Sequence, residues 1–159
     1  MENALALQQK LLVIQEALKA PKDKKNEYGG YAYRTAEGIL AAVKPYLKSQ
    51  GCTVTMTDDI LLVGDRYYIK AIATLSDGNT SISCAALARE AVKQGGMADG
   101  QITGATSSYA RKYALCGLFA IDGNKDLDDI AGAPEKPTEK RPIRVHADSN
   151  NEGAVPLFD

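Results

Sequence analysis

The chain has little of what most catalytic chemistry draws on. It holds one histidine, His146, in a polar C-terminal stretch, so histidine-based catalysis in the folded body is excluded. Its cysteines, Cys52, Cys84 and Cys116, are odd in number, spaced 32 apart and form no CxxC pair. That spacing argues against a disulfide framework and a zinc site, and it fits a reducing compartment. No GxxxxGK[ST] loop occurs, so there is no visible ATP cradle. No apolar run approaches the ~18 residues of a membrane span. The N-terminus carries no signal-peptide pattern, and no internal repeat is evident. No cofactor or metal is therefore expected.

What is present is an ordinary globular composition: 159 residues, 45% hydrophobic and 25% charged. This is enough for one domain with a core. The net charge is only −1, but it is unevenly spread. Residues 1 to 121 carry 14 Lys and Arg against 11 Asp and Glu, whereas residues 122 to 159 carry 5 against 9. A mildly basic body with an acidic end is compatible with a nucleic-acid binder whose cations are clustered.

Residues Asn3 to Ala20 predict an amphipathic helix. Ala4, Leu7, Leu11, Ile14 and Leu18 form its stripe, Asn3 is placed to cap it, and Pro21 ends it. A second helix is expected over Thr35 to Gln50, capped by Thr35 and stopped by Gly51, with Pro45 inside it. From Cys52 to about Arg89 the period changes to two. CTVTMT and ILLV lead to a Gly64-Asp65 turn. RYYIKAIATLS alternates, Asp77-Gly78 signals a hairpin, and Asn79 to Leu87 returns. Strands that do not alternate with helices argue against a doubly wound parallel sheet. The expected fold is α+β, with an antiparallel meander of three or slightly more strands backed by helices.

Gln101 to Ala120, QITGATSSYARKYALCGLFA, predicts the helix around which the domain is organised. Thr103 is a candidate N-cap. Ile102, Ala105, Tyr109, Cys116 and Phe119 lie close to one stripe, widened by Tyr113 and Leu115. Gly104, Ser107, Ser108 and Arg111, with Lys112 beside them, make a second face that is small, hydroxylic and cationic. Such a face suits a phosphate backbone, although an Arg-Lys pair on a helix is commonly just a solvated surface. Upstream, KDKKNEYGGYAY interleaves Lys22, Lys24 and Lys25 with Tyr28, Tyr31 and Tyr33. Lysines neutralise phosphates and tyrosines stack on bases, as a single-strand binder requires. A solvated loop entering a strand explains the same segment.

The Gly-rich KQGGMADG connector could offer an anion the helix N-terminus, but flexible linkage is its commoner role. DGNKDLDD resembles the start of a calcium loop, yet Leu127 and Ala133 stand where that loop needs Gly and Glu, so an EF-hand is rejected. From Pro134 the composition is that of a disordered tail. It ends on an apolar tip, Val155, Pro156, Leu157 and Phe158, of a kind that docks in partner pockets. The expected division is a folded domain over residues 1–132 and a tail over 133–159.

The run TGATSSYARKYALCGLFAIDGNKDLDD resembles the ERF (essential recombination function) family of phage single-strand annealing proteins. The likeness rests on Gly104, Ala105, Ser108, Tyr109, Ala110, Arg111, Lys112, Tyr113, Ala114 and Leu115, then on Asp122, Asp126, Asp128 and Asp129. Tyr31-Ala32-Tyr33 and the Leu40 to Leu47 helix add to it. The family is similar to eukaryotic strand-annealing mediators of recombination. It implies a curved sheet backed by a helix, assembly into rings, and a basic pair in a DNA groove, here Arg111 and Lys112.

The resemblance implies ATP-independent binding and annealing of single-stranded DNA, without enzymatic chemistry, in the host cytoplasm if the protein is phage-encoded. Candidate DNA contacts are Arg111, Lys112 and Ser108, extended by Lys22, Lys24, Lys25, Tyr28, Tyr31 and Tyr33. Candidate partners are single-stranded DNA, further copies of the chain, and a phage exonuclease or host single-strand-binding protein. Two rival classes stand beside this one. A metal-dependent nuclease would use Asp122, Asp126 and Asp128, but no lysine or histidine companion is evident. An oligomeric interaction protein would work through its tail.

Overall fold

The computed structural model describes residues 2–25, 27, 30 and 32–121. In chain order the elements are α1 (Glu2–Ala17), β1 (Lys24–Lys25), β2 (Ala32–Tyr33), α2 (Ala36–Gln50), β3 (Thr53–Val63), β4 (Arg66–Ser76), β5 (Ser81–Arg89) and α3 (Asp99–Leu118). The fold is α+β. The main sheet has order β3-β4-β5 with both pairs antiparallel, and β1 and β2 form a separate short hairpin.

The meander is built by its turns. Gly64 sits at φ 63°, in the left-handed region that only glycine enters without penalty, and closes the two-residue loop to β4. At the next turn Asp77 Oδ1 accepts from the backbone N–H groups of Asn79 and Thr80 at 3.1 and 3.0 Å, while Gly78 takes φ 91°. The CTVTMT and ILLV segments are one eleven-residue strand. Its two central acids are tolerated because they point to opposite faces. Asp58 lies beside Ala71 on one face, and Asp59 lies beside Lys70 on the other.

One face of the sheet is buried. On β4, Ile69, Ala71, Ala73 and Leu75 are buried, while the residues between them are half-buried. Register places Ile82, Cys84, Ala86 and Ala88 of β5 and Val54 and Met56 of β3 on that same face. The helices pack there. Leu7 and Ile14 of α1, Ile39, Val43 and Leu47 of α2, and Ala110, Ala114, Leu115 and Leu118 of α3 join one core with the sheet and Phe119.

Helix α2 follows its sequence signals. Thr35 Oγ1 accepts from Gly38 N at 3.0 Å, Gly51 ends the helix at φ 62°, and the helix runs through Pro45, which lies on its exposed side. Helix α1 begins at Glu2, so Asn3 lies inside it rather than capping it, and it stops at Ala17. Helix α3 starts at Asp99, two residues before its expected first residue, and Thr103 is not its cap. The Thr103 hydroxyl instead donates to the Glu90 carboxylate at the end of β5. Ala98 N is satisfied by Gln101 Oε1 at 2.9 Å.

The expected apolar stripe of α3 is also rotated. Ile102, Leu115 and Phe119 are buried as expected, but Ala105 is exposed and Tyr109 is 53% exposed. The helix lays small residues on the sheet instead. A Cβ at Gly117 would come within 2.7 Å of Cys84 Sγ, so helix and strand are in direct contact there. At Gly104, by contrast, an added Cβ would meet nothing within 4 Å.

Candidate nucleic-acid interface

Ala110 and Ala114 on the sheet set which α3 side chains turn outward. At 100° per residue, placing these two inward moves Ser107 and Arg111 to one flank, near β3, and turns Tyr109 and Lys112 away from the sheet. The two sides have different fates.

On the β3 flank, Arg111 is engaged by Asp58. Its Nη2 lies 2.9 Å from Oδ2 and its Nε donates to Oδ1 at 3.0 Å. Ser107 Oγ donates to the same carboxylate at 2.6 Å. Burial would raise the Asp58 carboxyl, but the Arg111 and Ser107 hydrogen bonds and the guanidinium charge outweigh it and hold it below the usual carboxylate range. Two members of the predicted phosphate-facing surface therefore already grip an anionic oxygen pair supplied by the chain. The Arg111 side chain keeps 41% of its exposure, so it remains reachable.

On the outer side, the Lys112 ammonium lies over two rings, 4.4 Å from the Tyr109 centroid and 4.7 Å from that of Tyr113. The two tyrosines meet edge to face at 4.8 Å and 61°, and their hydroxyls are hydrogen-bonded at 3.0 Å. Such cation–π contacts contribute about 0.5–1 kcal/mol at exposed sites and fold the lysine stem along the helix. Ser108 lies exposed between these two groups.

Arg34, directly after β2, extends the cluster. Its charge lies close enough to act on Cys116, one turn beyond Lys112 on α3. Burial pushes the Cys116 thiol up, against the lowering pull of the Arg34 and Lys112 charges. Arg34 is thus the link between the predicted Lys–Tyr segment and α3. In that segment Lys24 pairs with Tyr33 and Lys25 with Ala32 across the β1–β2 hairpin. Lys24, Lys25 and Tyr33 are exposed and Lys22 is half-buried. Tyr28 and Tyr31 lie outside the described residues, as do Asp122, Asp126 and Asp128 and the tip Val155, Pro156, Leu157 and Phe158.

Sequence reasoning missed Tyr109 and Tyr113 as surface groups because aromatic residues were assigned to the core. The signal against it was the Ala110–Ala114 spacing, which marks a small-residue contact. It missed Arg34, which follows the Tyr-Ala-Tyr run directly. It had no way to find Asp58, whose partner is 53 residues away.

A cleft at the start of α3 is chemically different. An open cleft of about 440 Å³ between the β3–β4 turn and the start of α3 is lined by Tyr67, Val92 and Ile102, with Asp65, Glu90 and Asp99 against the single cation Arg66. Three carboxylates against one guanidinium repel a phosphate. Asp99 also stands in the first turn of α3, where an anion would otherwise bind. Among the described residues no group of three or more His, Cys, Asp or Glu is placed to hold a metal ion. No helix among them is long and apolar enough to cross a membrane.

The family model described as the ERF superfamily matches residues 7–154. The essential recombination function protein of Salmonella phage P22 is 50% identical over 139 residues, which span 84% of this chain and 67% of that protein. No solved structure matches.

Proposed function

The chain belongs to the ERF superfamily, and from that premise we propose that it acts in recombination by binding single-stranded DNA and annealing complementary strands. The observation that carries this reading is the charge pattern of α3 along its β3 flank and outer side. After Asp99 the helix has no carboxylate, and it presents Arg111 and Lys112 on successive positions, with Ser108 one turn before Lys112. Arg34 from the β2–α2 junction and the exposed Lys24 and Lys25 add positive charge, in a protein whose overall charge is −1.

The mechanism makes and breaks no covalent bonds. Cations along α3 and the β1–β2 hairpin hold the phosphates of one strand. The base edges stay available to test a complement, and pairing supplies both specificity and driving force. Each phosphate neutralised releases counterions, so log K falls with log salt by about 0.7 per contact on a single strand. One protomer offers few contacts, and repetition in an oligomer lengthens the path. The exposed apolar residues at the β3–β4 tip, Ile60, Leu62 and Val63, support self-association. Further proposed partners are a phage exonuclease or a host single-strand-binding protein, recruited through the C-terminal tip.

The test is annealing of two complementary labelled oligonucleotides without nucleotide cofactor, for the wild type and Arg111→Ala/Lys112→Ala, with circular dichroism confirming that both fold. Faster annealing by the wild type and its loss in the folded double variant are expected. A wild type that neither binds nor anneals single strands across a range of salt overturns the reading.

A further inference from the structure

Tyr109 does not use its ring to pack α3 on the sheet. It is 53% exposed on a helix whose buried side chains are Ile102, Ala110, Ala114, Leu115 and Leu118. A single exposed ring is ordinary on a protein surface, but this one is held in one orientation with a cation beside it, which suits a covering partner. Its surroundings restrict what that cover is. Tyr113 fixes the ring by an edge-to-face contact at 4.8 Å and a hydroxyl–hydroxyl hydrogen bond at 3.0 Å. Lys112 lies over one ring face at 4.4 Å. The exposure that remains is measured with both neighbours in place, so the free portion is the side that Lys112 does not cover.

The patch is therefore a flat, oriented, electron-rich surface with positive charge beside it. Lys112 and Arg34 both lie close enough to act on Cys116, and Arg111 is the next residue along the helix. A partner burying an apolar side chain here would also desolvate the ammonium and two hydroxyls. A partner with both a π-face and an anion satisfies every group. Nucleotides of a single strand have that composition, one base and one phosphate per unit.

We propose that Tyr109, braced by Tyr113, is a stacking platform for one nucleobase, with Lys112 beside it to meet the adjoining phosphate. This deepens the single-strand reading above and rests on it. Stacking engages the face of a base and leaves its Watson–Crick edge open, so the held base still tests a complement. The platform orders the strand for pairing without reading its sequence, since every base has a π-face.

The experiment compares oligodeoxythymidine with an abasic deoxyribose-phosphate oligomer of the same length, using wild type, Tyr109→Leu and Tyr109→Phe of the full chain. The chain contains no tryptophan but eight tyrosines, so the quenching that belongs to Tyr109 is the difference between wild type and Tyr109→Leu. Wild type is expected to prefer the base-bearing strand, with quenching of tyrosine emission. Tyr109→Leu is expected to lose affinity for that strand by roughly tenfold, bind the abasic oligomer as wild type does, and keep its salt slope. Tyr109→Phe, which keeps the ring, is expected to restore the preference. Equal binding of oligodeoxythymidine by wild type and Tyr109→Leu overturns the platform while leaving the phosphate reading standing. Equal loss on both oligomers shows a structural role for Tyr109 and likewise overturns it. Failure of wild type to bind either oligomer overturns the single-strand reading, and the platform with it. An acidic peptide that displaces oligodeoxythymidine from wild type and binds Tyr109→Leu as weakly as the DNA does assigns the patch to a protein and overturns the nucleobase.

Discussion

Arg111 and Asp58 form a two-point contact across the α3–β3 boundary, with Nε and Nη2 of the guanidinium each within 3.0 Å of a carboxylate oxygen. With Ser107 Oγ on the same carboxylate, the arrangement copies the way a guanidinium and a hydroxyl grip a phosphate. A strand that binds Arg111 must therefore displace, or share the guanidinium with, an anion the protein carries itself.

Replacing Asp58 by Asn removes that competitor with little change of shape. Affinity of the Asp58→Asn variant for single-stranded DNA is expected to rise several-fold at low salt. Its log–log salt slope should steepen by about 0.7, one additional phosphate. Fluorescence anisotropy over a salt series measures both. An unchanged slope with a lowered melting temperature would identify the pair as a clamp between α3 and β3 and nothing more.

The same pair predicts an acid dependence. The Asp58 carboxyl is held below its ordinary value, so its contribution to stability is complete above the unfolded value near 3.9 and is lost as pH falls through the folded one. The stability difference between wild type and Asp58→Asn should be constant near neutral pH and shrink below about pH 4. Urea unfolding at pH 7 and at pH 3 checks it.

Gly117→Ala tests the contact between α3 and the sheet. Alanine is better than glycine in a helix by about 1 kcal/mol, but here its Cβ meets Cys84 Sγ at 2.7 Å, and relieving overpacking costs about 1–3 kcal/mol. The single variant should be less stable than wild type. In a Cys84→Ala background the same substitution should become stabilising. That change of sign, read by thermal melts of the four proteins, is specific to this contact.

Ile60 and Leu62 are 67% and 60% exposed, on the face that also carries the helices but beyond their cover. Ile60→Lys/Leu62→Lys should reduce self-association and leave the circular dichroism unchanged. Sedimentation velocity at micromolar concentration follows the shift to smaller species. If wild type is monomeric there, the self-association part of the proposal fails.

Much of this was legible in the sequence, for identifiable reasons. The meander shows because period-two alternation and glycine turns are local signals: Gly64 and Gly78 mark both hairpins, and Thr35 and Gly51 bracket α2. The existence of α3 was equally plain, but its azimuth was not. Hydrophobicity assigns Tyr109 to the core, whereas the sheet it faces, with Ala71, Ala73, Cys84 and Ala86, leaves room only for small side chains. Which side of a helix is buried depends on the surface opposite, and that surface lies 23 to 38 residues before Tyr109 in the chain. Asp58 was illegible for the same reason. Within its strand it looks like an interruption, and only the arrival of Arg111 makes it a partner.

The close seating of α3 has a kinetic side. Ala110 and Ala114 share one core with Ala71 and Ala73, and Gly117 lies against Cys84, so packing fixes which side of the helix faces the sheet. The directions in which Tyr109 and Lys112 point are thus settled in the unliganded protein. A surface already in its receiving posture has little backbone freedom left to lose on association, and no rearrangement to wait for. The rate of capture is then governed by how often a strand arrives in the right orientation. That frequency is raised by the surrounding cations and lowered by salt.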